Sequence, residues 1–199
     1  MKKRLLNKME FIFASHNDYK LNEVRSIIGK KISIKSLNEI GYFKPINESG
    51  NTLEENSLIK AKFIYNKFKT NCFSEDTGLE VEALENRPGV LSARFAGNDR
   101  NDEKNIQKLL SLLKFQKNRS ARFRTVVTVV IENKFFFLEG KVNGIILNKK
   151  KGKNGFGYDP IFCPQGFNKS FGEISTSQKN LISHRSIAFN KLKHLIQNY

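Results

Sequence analysis

Short apolar runs and helix-like apolar stripes alternate along the chain, in the order expected of an α/β protein. Phe11–Ala14 reads as a brief buried strand, and Ser15-His16-Asn17-Asp18 supplies the polar turn and cap that start a helix. Leu21, Val24 and Ile28 then recur at i, i+3 and i+7, which predicts an amphipathic helix. Ile32–Ser36 predicts a second strand, followed by a loop rich in Asn, Gly and Pro that runs to Gly50. Thr52 and Glu55 form a T-x-x-E capping box that opens a helix to about Lys69, with Ile59, Phe63 and Ile64 as its apolar stripe. Asn56 and Lys60, spaced i, i+4, share a neighbouring face.

Cys72–Ser74 then leads into Glu75 and Asp76, which predict a turn at a strand end, because adjacent carboxylates are expensive to bury unpaired. Leu79–Leu84 reads as extended or briefly helical, and Arg87-Pro88-Gly89 as a turn. Ile106, Leu109, Leu110 and Leu113 mark a helix that carries no evident chemistry. The basic run Lys117–Arg124 reads as a solvated loop. Thr125–Ile131, β-branched and without alternation, predicts a central strand covered on both faces. A turn at Glu132–Lys134 and the apolar Phe135–Leu147 complete an antiparallel hairpin. A last helix, begun by Ser183-His184-Arg185, would bury Ala188, Leu192, Leu195 and Ile196.

Composition narrows the class. With 199 residues, 39% of them hydrophobic, the chain can build a sizeable core; residues 1–9 read as a flexible leader, with Met9 an alternative start, and 10–199 as a single domain. A net charge of +16 would point to nucleic acid if the lysines were clustered, but they are spread through every segment, so no dedicated nucleic-acid binding is expected. The charge would still help draw in a polyanionic small molecule. No apolar run reaches membrane-spanning length, so no membrane association is expected. Two distant cysteines, Cys72 and Cys163, without a CxxC pair or a histidine cluster, argue against zinc and a disulfide framework and fit a reducing cytoplasm.

Several segments carry candidate chemistry. The helix start at Ser15–Lys20 presents backbone N–H groups and a lysine to an anion. Glu48, Lys60 and the Glu75–Asp76 pair supply charge of both signs. In Gly152–Phe162, GKNGFGYDPIF, three glycines permit close backbone approach, Phe156 and Tyr158 offer faces on which a purine could stack, and Asp159 offers an acceptor. His184 and Arg185 sit at a helix N-terminus, where positive charge opposes the helix dipole unless an anion or an acceptor-rich ligand answers it.

FASHNDYKLNEV, ENSLIKA, SEDTGLEVEAL with RPGVLSARFAG, GFGYDPIF and SHRSIAF resemble, in order and spacing, the inosine triphosphate pyrophosphatase family of purine nucleotide pyrophosphatases. The resemblance covers the chain from Phe11 to the last helix. It implies a long, mixed, twisted sheet flanked by helices, two lobes with a nucleotide cleft between them, a homodimer, and Mg²⁺-dependent hydrolysis of ITP, dITP and XTP to the monophosphate and pyrophosphate. It further implies that Ser15, His16, Asn17, Asp18, Tyr19 and Lys20 hold the triphosphate with help from Lys60, and that Asp76 is metal ligand and general base with Thr77 beside it. Phe156, Gly157, Tyr158, Asp159, Lys179, His184 and Arg185 would frame the purine. Two positions depart from the commonest bacterial pattern at the first turn, Ser15 for Thr and His16 for Gly. Asn47 and Glu48 stand where relatives often carry two acids, so the second metal ligand is Glu48, with Glu75 as the alternative. Two rivals remain at this point: a related pyrophosphatase of the septum-formation-inhibitor type, and a basic nucleic-acid-binding protein without catalysis.

Overall fold

In the computed structural model, which describes residues 9–30 and 32–199, a mixed sheet of seven strands is flanked by helices. The strands are β1 (Glu10–Phe13), β2 (Ser33–Ser36), β3 (Cys72–Val81), β4 (Arg87–Gly89), β5 (Ser120–Ile131), β6 (Lys134–Ile146) and β7 (Phe162–Pro164). Their order is β2-β1-β3-β5-β6-β7, with β4 pairing on β3. β1 runs parallel to β2 and β3, whereas β3, β5, β6 and β7 pair antiparallel in succession. The helices are α1 (Asp18–Ile28), α2 (Leu53–Phe68), α3 (Asp102–Leu112), α4 (Thr176–Ile182) and α5 (His184–Asn198). The expected α/β class and the long hairpin are therefore present. The expected leader lies outside the described residues except for Met9, which packs against the core and whose carbonyl accepts from the Ser33 N–H.

Two large apolar clusters lie along the sheet. One gathers Phe11, Phe13, Phe73, Phe189 and Leu192 from β1, β3 and α5, with the Phe13 and Phe73 rings stacked 4.9 Å apart. The other gathers Leu79, Val81, Phe123, Phe162 and Phe171, around the far halves of β3 and β5. Between Phe73 and Leu79, β3 contributes Ser74, Glu75, Asp76, Thr77 and Gly78, none of which belongs to either cluster. The polar middle of one strand thus bridges two cores.

That placement corrects the expected acidic turn: Glu75 and Asp76 lie in mid-strand, opposite Val127 and Val126 of β5. Adjacent strand residues point to opposite faces, so each carboxylate meets cations from a different helix. Arg87–Gly89 is likewise not a free turn but a strand pairing with Leu79–Val81. The supposed basic loop joins β5 from Ser120 onward, burying Ala121 and Phe123 while Arg122 and Arg124 answer Glu80, Glu54 and Glu139 from other elements. On α2 the expected apolar stripe is only part of the buried face: Ile64 is fully buried, but Phe63 is 40% exposed, and Asn56, Ser57 and Lys60 are buried as well. The face of α2 that packs on the sheet is mixed, burying Leu53, Ala61 and Ile64 beside Asn56, Ser57 and Lys60. Ser57 explains part of this, bonding Ser74 of β3 and Thr128 of β5.

Candidate active site

A cavity of about 430 Å³ opens where the two cores meet. Its walls come from the β1–α1 turn, the Glu48 loop, α2, the middle of β3, the 92–102 segment, the 156–159 turn and the starts of α4 and α5. Every residue singled out above for substrate or metal lines it except Asp18, which is exposed on the first turn of α1 and does not face it.

At the α1 start Asn17 caps the helix, its side chain accepting from the Lys20 N–H at 3.1 Å, and the His16 ring is pinned by a 2.9 Å bond from Nε2 to the Tyr42 carbonyl. Lys20 reaches Glu75 at 2.9 Å. The capping box at Thr52 and Glu55 forms as expected and sets the register of α2, so that Asn56 and Lys60 both point at Asp76. Lys60 Nζ lies 3.2 Å from Asp76 Oδ1 and 2.6 Å from Glu48 Oε1, drawing the two carboxylates around one ammonium. Burial pushes the Asp76 carboxyl above the usual aspartate range, and the nearby Glu48 charge adds to this against the pull of Lys60 and Lys20. Burial works against the charge on Lys60 too, but Asp76 and Glu48 outweigh it and hold the ammonium protonated.

Glu75 faces the other way. Burial opposes its charge, yet Arg185 and Lys20 together hold it well below the usual carboxylate range. The Arg185 guanidinium donates to Glu75 through Nε at 2.9 Å and to Glu23 through Nη1. Lys179 spans Glu23 at 2.9 Å and Asp159 at 2.7 Å. The positive charge at the start of α5 is therefore answered by anions of the protein itself, the buried carboxylates of Glu75 and Glu23. Glu75, saturated by two cations, is the poorer candidate for a metal. Tyr158 also differs from expectation: it is buried, and its hydroxyl donates to the Ser92 carbonyl, so it serves the core more than a stacking face.

Two glycines make this convergence possible. At Gly140 of β6 a Cβ would collide with the His184 carbonyl, so only glycine lets α5 begin this close to the sheet. Gly155, at φ +77°, would drive a Cβ into the Asp159 carboxylate.

His184 is fully enclosed, its ring stacked on Phe123 at 4.6 Å, and its Nδ1 is one of two buried side-chain polar atoms without a partner among the described residues. Burial, then Arg185 and Lys179, push its pKa well below the ordinary histidine value. An unfolded chain binds a proton below about pH 6.5 that the folded chain refuses, so this residue's stabilising contribution is complete above that value. It is lost as pH falls through and below it, by at most about 1.4 kcal/mol per pH unit. The stability difference between wild type and His184→Phe, measured by urea unfolding from pH 7.5 to 5, should move in favour of the variant as pH drops. A constant difference would show that His184 does not titrate in this way.

The Ham1 family model matches residues 11–195. The chain belongs to the Ham1 family. It is 46% identical to a dITP/XTP pyrophosphatase of Christiangramia forsetii over 92% of this chain and 97% of that one, and 41% identical to that of Bacillus subtilis over 94% and 97%. Its fold superimposes on the Ham1 protein of Staphylococcus aureus with a TM-score of 0.87 at 35% identity, covering 95% of this chain and 98% of the other. In this Ham1 chain, sequence reasoning missed three participants in the cleft. Glu23, buried here, reads in the sequence as one more polar residue of an amphipathic helix, and its place one turn after Lys20 is the only signal the sequence offers. Asp102 sits at the start of α3, where it accepts from the Gly157 N–H at 2.7 Å. Arg94 lines the cavity within 4.0 Å of Glu48.

Proposed function

We propose that this protein hydrolyses non-standard purine nucleoside triphosphates, namely ITP, dITP and XTP, between the α and β phosphates, releasing the nucleoside monophosphate and pyrophosphate. The observation that carries this reading is a single cavity joining an acidic corner, Asp76 and Glu48 around Lys60, to a donor-rich wall of Lys179 and Arg185, with the neutral His184 ring beside it. Lysine and arginine can only donate. A 6-oxo purine offers them an acceptor, whereas the 6-amino group of adenine would set donor against donor in a desolvated site. Asp159 adds an acceptor beside that wall, and Phe156 a ring face.

Asp76 is the general base in this reading. Its raised pKa makes the ionised carboxylate a better proton acceptor for an attacking water, and Asn56 and Lys60 hold it in place. Ser15, His16, Asn17, Lys20 and Lys60 receive the phosphates, for which Lys20 and Lys60 exchange part of their contact with Glu75 and Asp76. The donor set suits Mg²⁺: Asp76 and Glu48 are hard oxygen ligands already gathered around one cation, and two carboxylates suffice when phosphate oxygens and water complete the shell. When bound, magnesium would neutralise charge on the phosphates. A homodimer and a reducing cytoplasmic setting, suited to the free cysteines Cys72 and Cys163, complete the proposal. No described helix is long and apolar enough to cross a membrane.

Incubation with ITP, XTP, GTP, ATP, dTTP and UTP plus Mg²⁺, scoring pyrophosphate against orthophosphate, tests the reading. ITP and XTP should be turned over fastest, with pyrophosphate as product. Preference for ATP or a pyrimidine, or release of orthophosphate, would overturn it.

A further inference from the structure

Tyr19 is the one aromatic side chain of the α1 start, and its ring is 68% exposed. It is nonetheless not loose on the surface: it lies against Phe156, with ring centroids 5.7 Å apart and planes inclined by 29°. Phe156 also carries the Lys179 ammonium 4.9 Å and the Arg185 guanidinium 5.5 Å from its ring centre. The two rings and the two cations that border the base wall thus share one aromatic platform. From these contacts we infer that Tyr19 belongs to the base end of the cleft and not to the phosphate end, forming a movable outer wall that stacks on the purine opposite Phe156. This inference rests on the purine reading above and assigns a specificity role within that same site.

The spacing supports this assignment. A flat ring held in contact on both faces needs about 3.5 Å on each side, or about 7 Å between the enclosing rings. The pair stands at 5.7 Å between ring centroids with its planes inclined, so admitting a purine requires the two rings to part. Phe156 is the fixed partner: its own N–H donates to Asp159 at 2.9 Å, and the next N–H, that of Gly157, donates to Asp102 at 2.7 Å. The movement therefore falls to Tyr19, whose exposed side chain meets little obstruction. As the two rings lie, the tyrosine covers a face of Phe156 and keeps it from water.

The test separates the two ends of the substrate. Tyr19→Ala should raise KM for ITP about tenfold, in the range expected for loss of one base–aromatic stack, with Tyr19→Phe restoring the wild-type value. Inhibition by inorganic tripolyphosphate, which has no base, should keep its wild-type Ki in Tyr19→Ala. The chain contains no tryptophan, so tyrosine emission is directly readable, and inosine monophosphate should quench a component of it that Tyr19→Phe lacks. An unchanged KM in Tyr19→Ala would overturn the inference, as would an equal weakening of ITP and tripolyphosphate, which would place Tyr19 at the phosphates. Wild-type turnover of ITP decides the functional reading independently, whereas the ratio of variant to wild type decides this one.

Discussion

Asp76→Asn abolishes nearly all turnover of ITP, by about three orders of magnitude, while the protein stays folded. The expectation follows from where the carboxylate sits. Asp76 is buried with its charged form disfavoured, so exchanging it for a neutral amide of the same shape removes a burial penalty as well as an attraction to Lys60. Lys60 keeps Glu48 at 2.6 Å, which prevents the ammonium from being stranded. Folding should therefore change by little, and a urea midpoint close to wild type is expected. Activity should not survive, because the amide nitrogen can neither take the proton of water nor serve as a hard anionic ligand. Pyrophosphate release and urea unfolding measured on the same preparation check both halves, and a wild-type kcat would remove Asp76 from the mechanism.

Arg185→Ala has the opposite profile, with a large loss of stability alongside a loss of selectivity. Arg185 is 1% exposed and is shared by Glu75 and Glu23, two buried carboxylates that come from different elements. Removing one partner of a buried ion pair costs about 3–5 kcal/mol, because the remaining charge is left without compensation. Lys20 and Lys179 retain contact with Glu75 and Glu23 and soften the loss. Arg185→Lys keeps the charge but not the planar fork that spans both acids, so it should recover only part of the stability. Urea unfolding of the three forms measures this order. In the surviving folded fraction the ratio of ITP to ATP turnover should fall, since a donor facing the purine has gone. A variant as stable as wild type would mean that the guanidinium does not bind these helices to the sheet, and an unchanged ratio would move base reading elsewhere.

Local signals carried much of the architecture. The non-alternating Thr125–Ile131 run is buried throughout, and the Thr52 capping box appears as expected. Helix α3 buries Ile106 and Leu109 on the face their spacing marks, with Leu113 buried at its cap. Failures concentrate at the site. The Glu75–Asp76 pair imitates a turn because nothing nearby in the chain neutralises it, yet Arg185, 110 residues away, does so in space. The Lys117–Arg124 run imitates a solvated loop because alternation of Ala121 and Phe123 with arginines is hidden by the charge. The apolar stripe of α2 misleads in part: Ile64 is buried as its spacing implies, but the helix also packs through hydrogen-bonding groups, Ser57 and Asn56, that hydrophobic periodicity does not register.

Helix caps, apolar spacing and β-branched runs act within one or two turns of the chain, so element types, the central hairpin and the family resemblance could be read directly from the residue order. Pairing between charges depends on distances that no local pattern encodes. Folding alone therefore settled that Glu75 answers Arg185 and Lys20 while Asp76 answers Lys60, and that Glu23 ties Lys179 to Arg185. It also brought Tyr19 onto Phe156. A buried charge selects its partner by proximity and desolvation, and both are properties of the packed molecule.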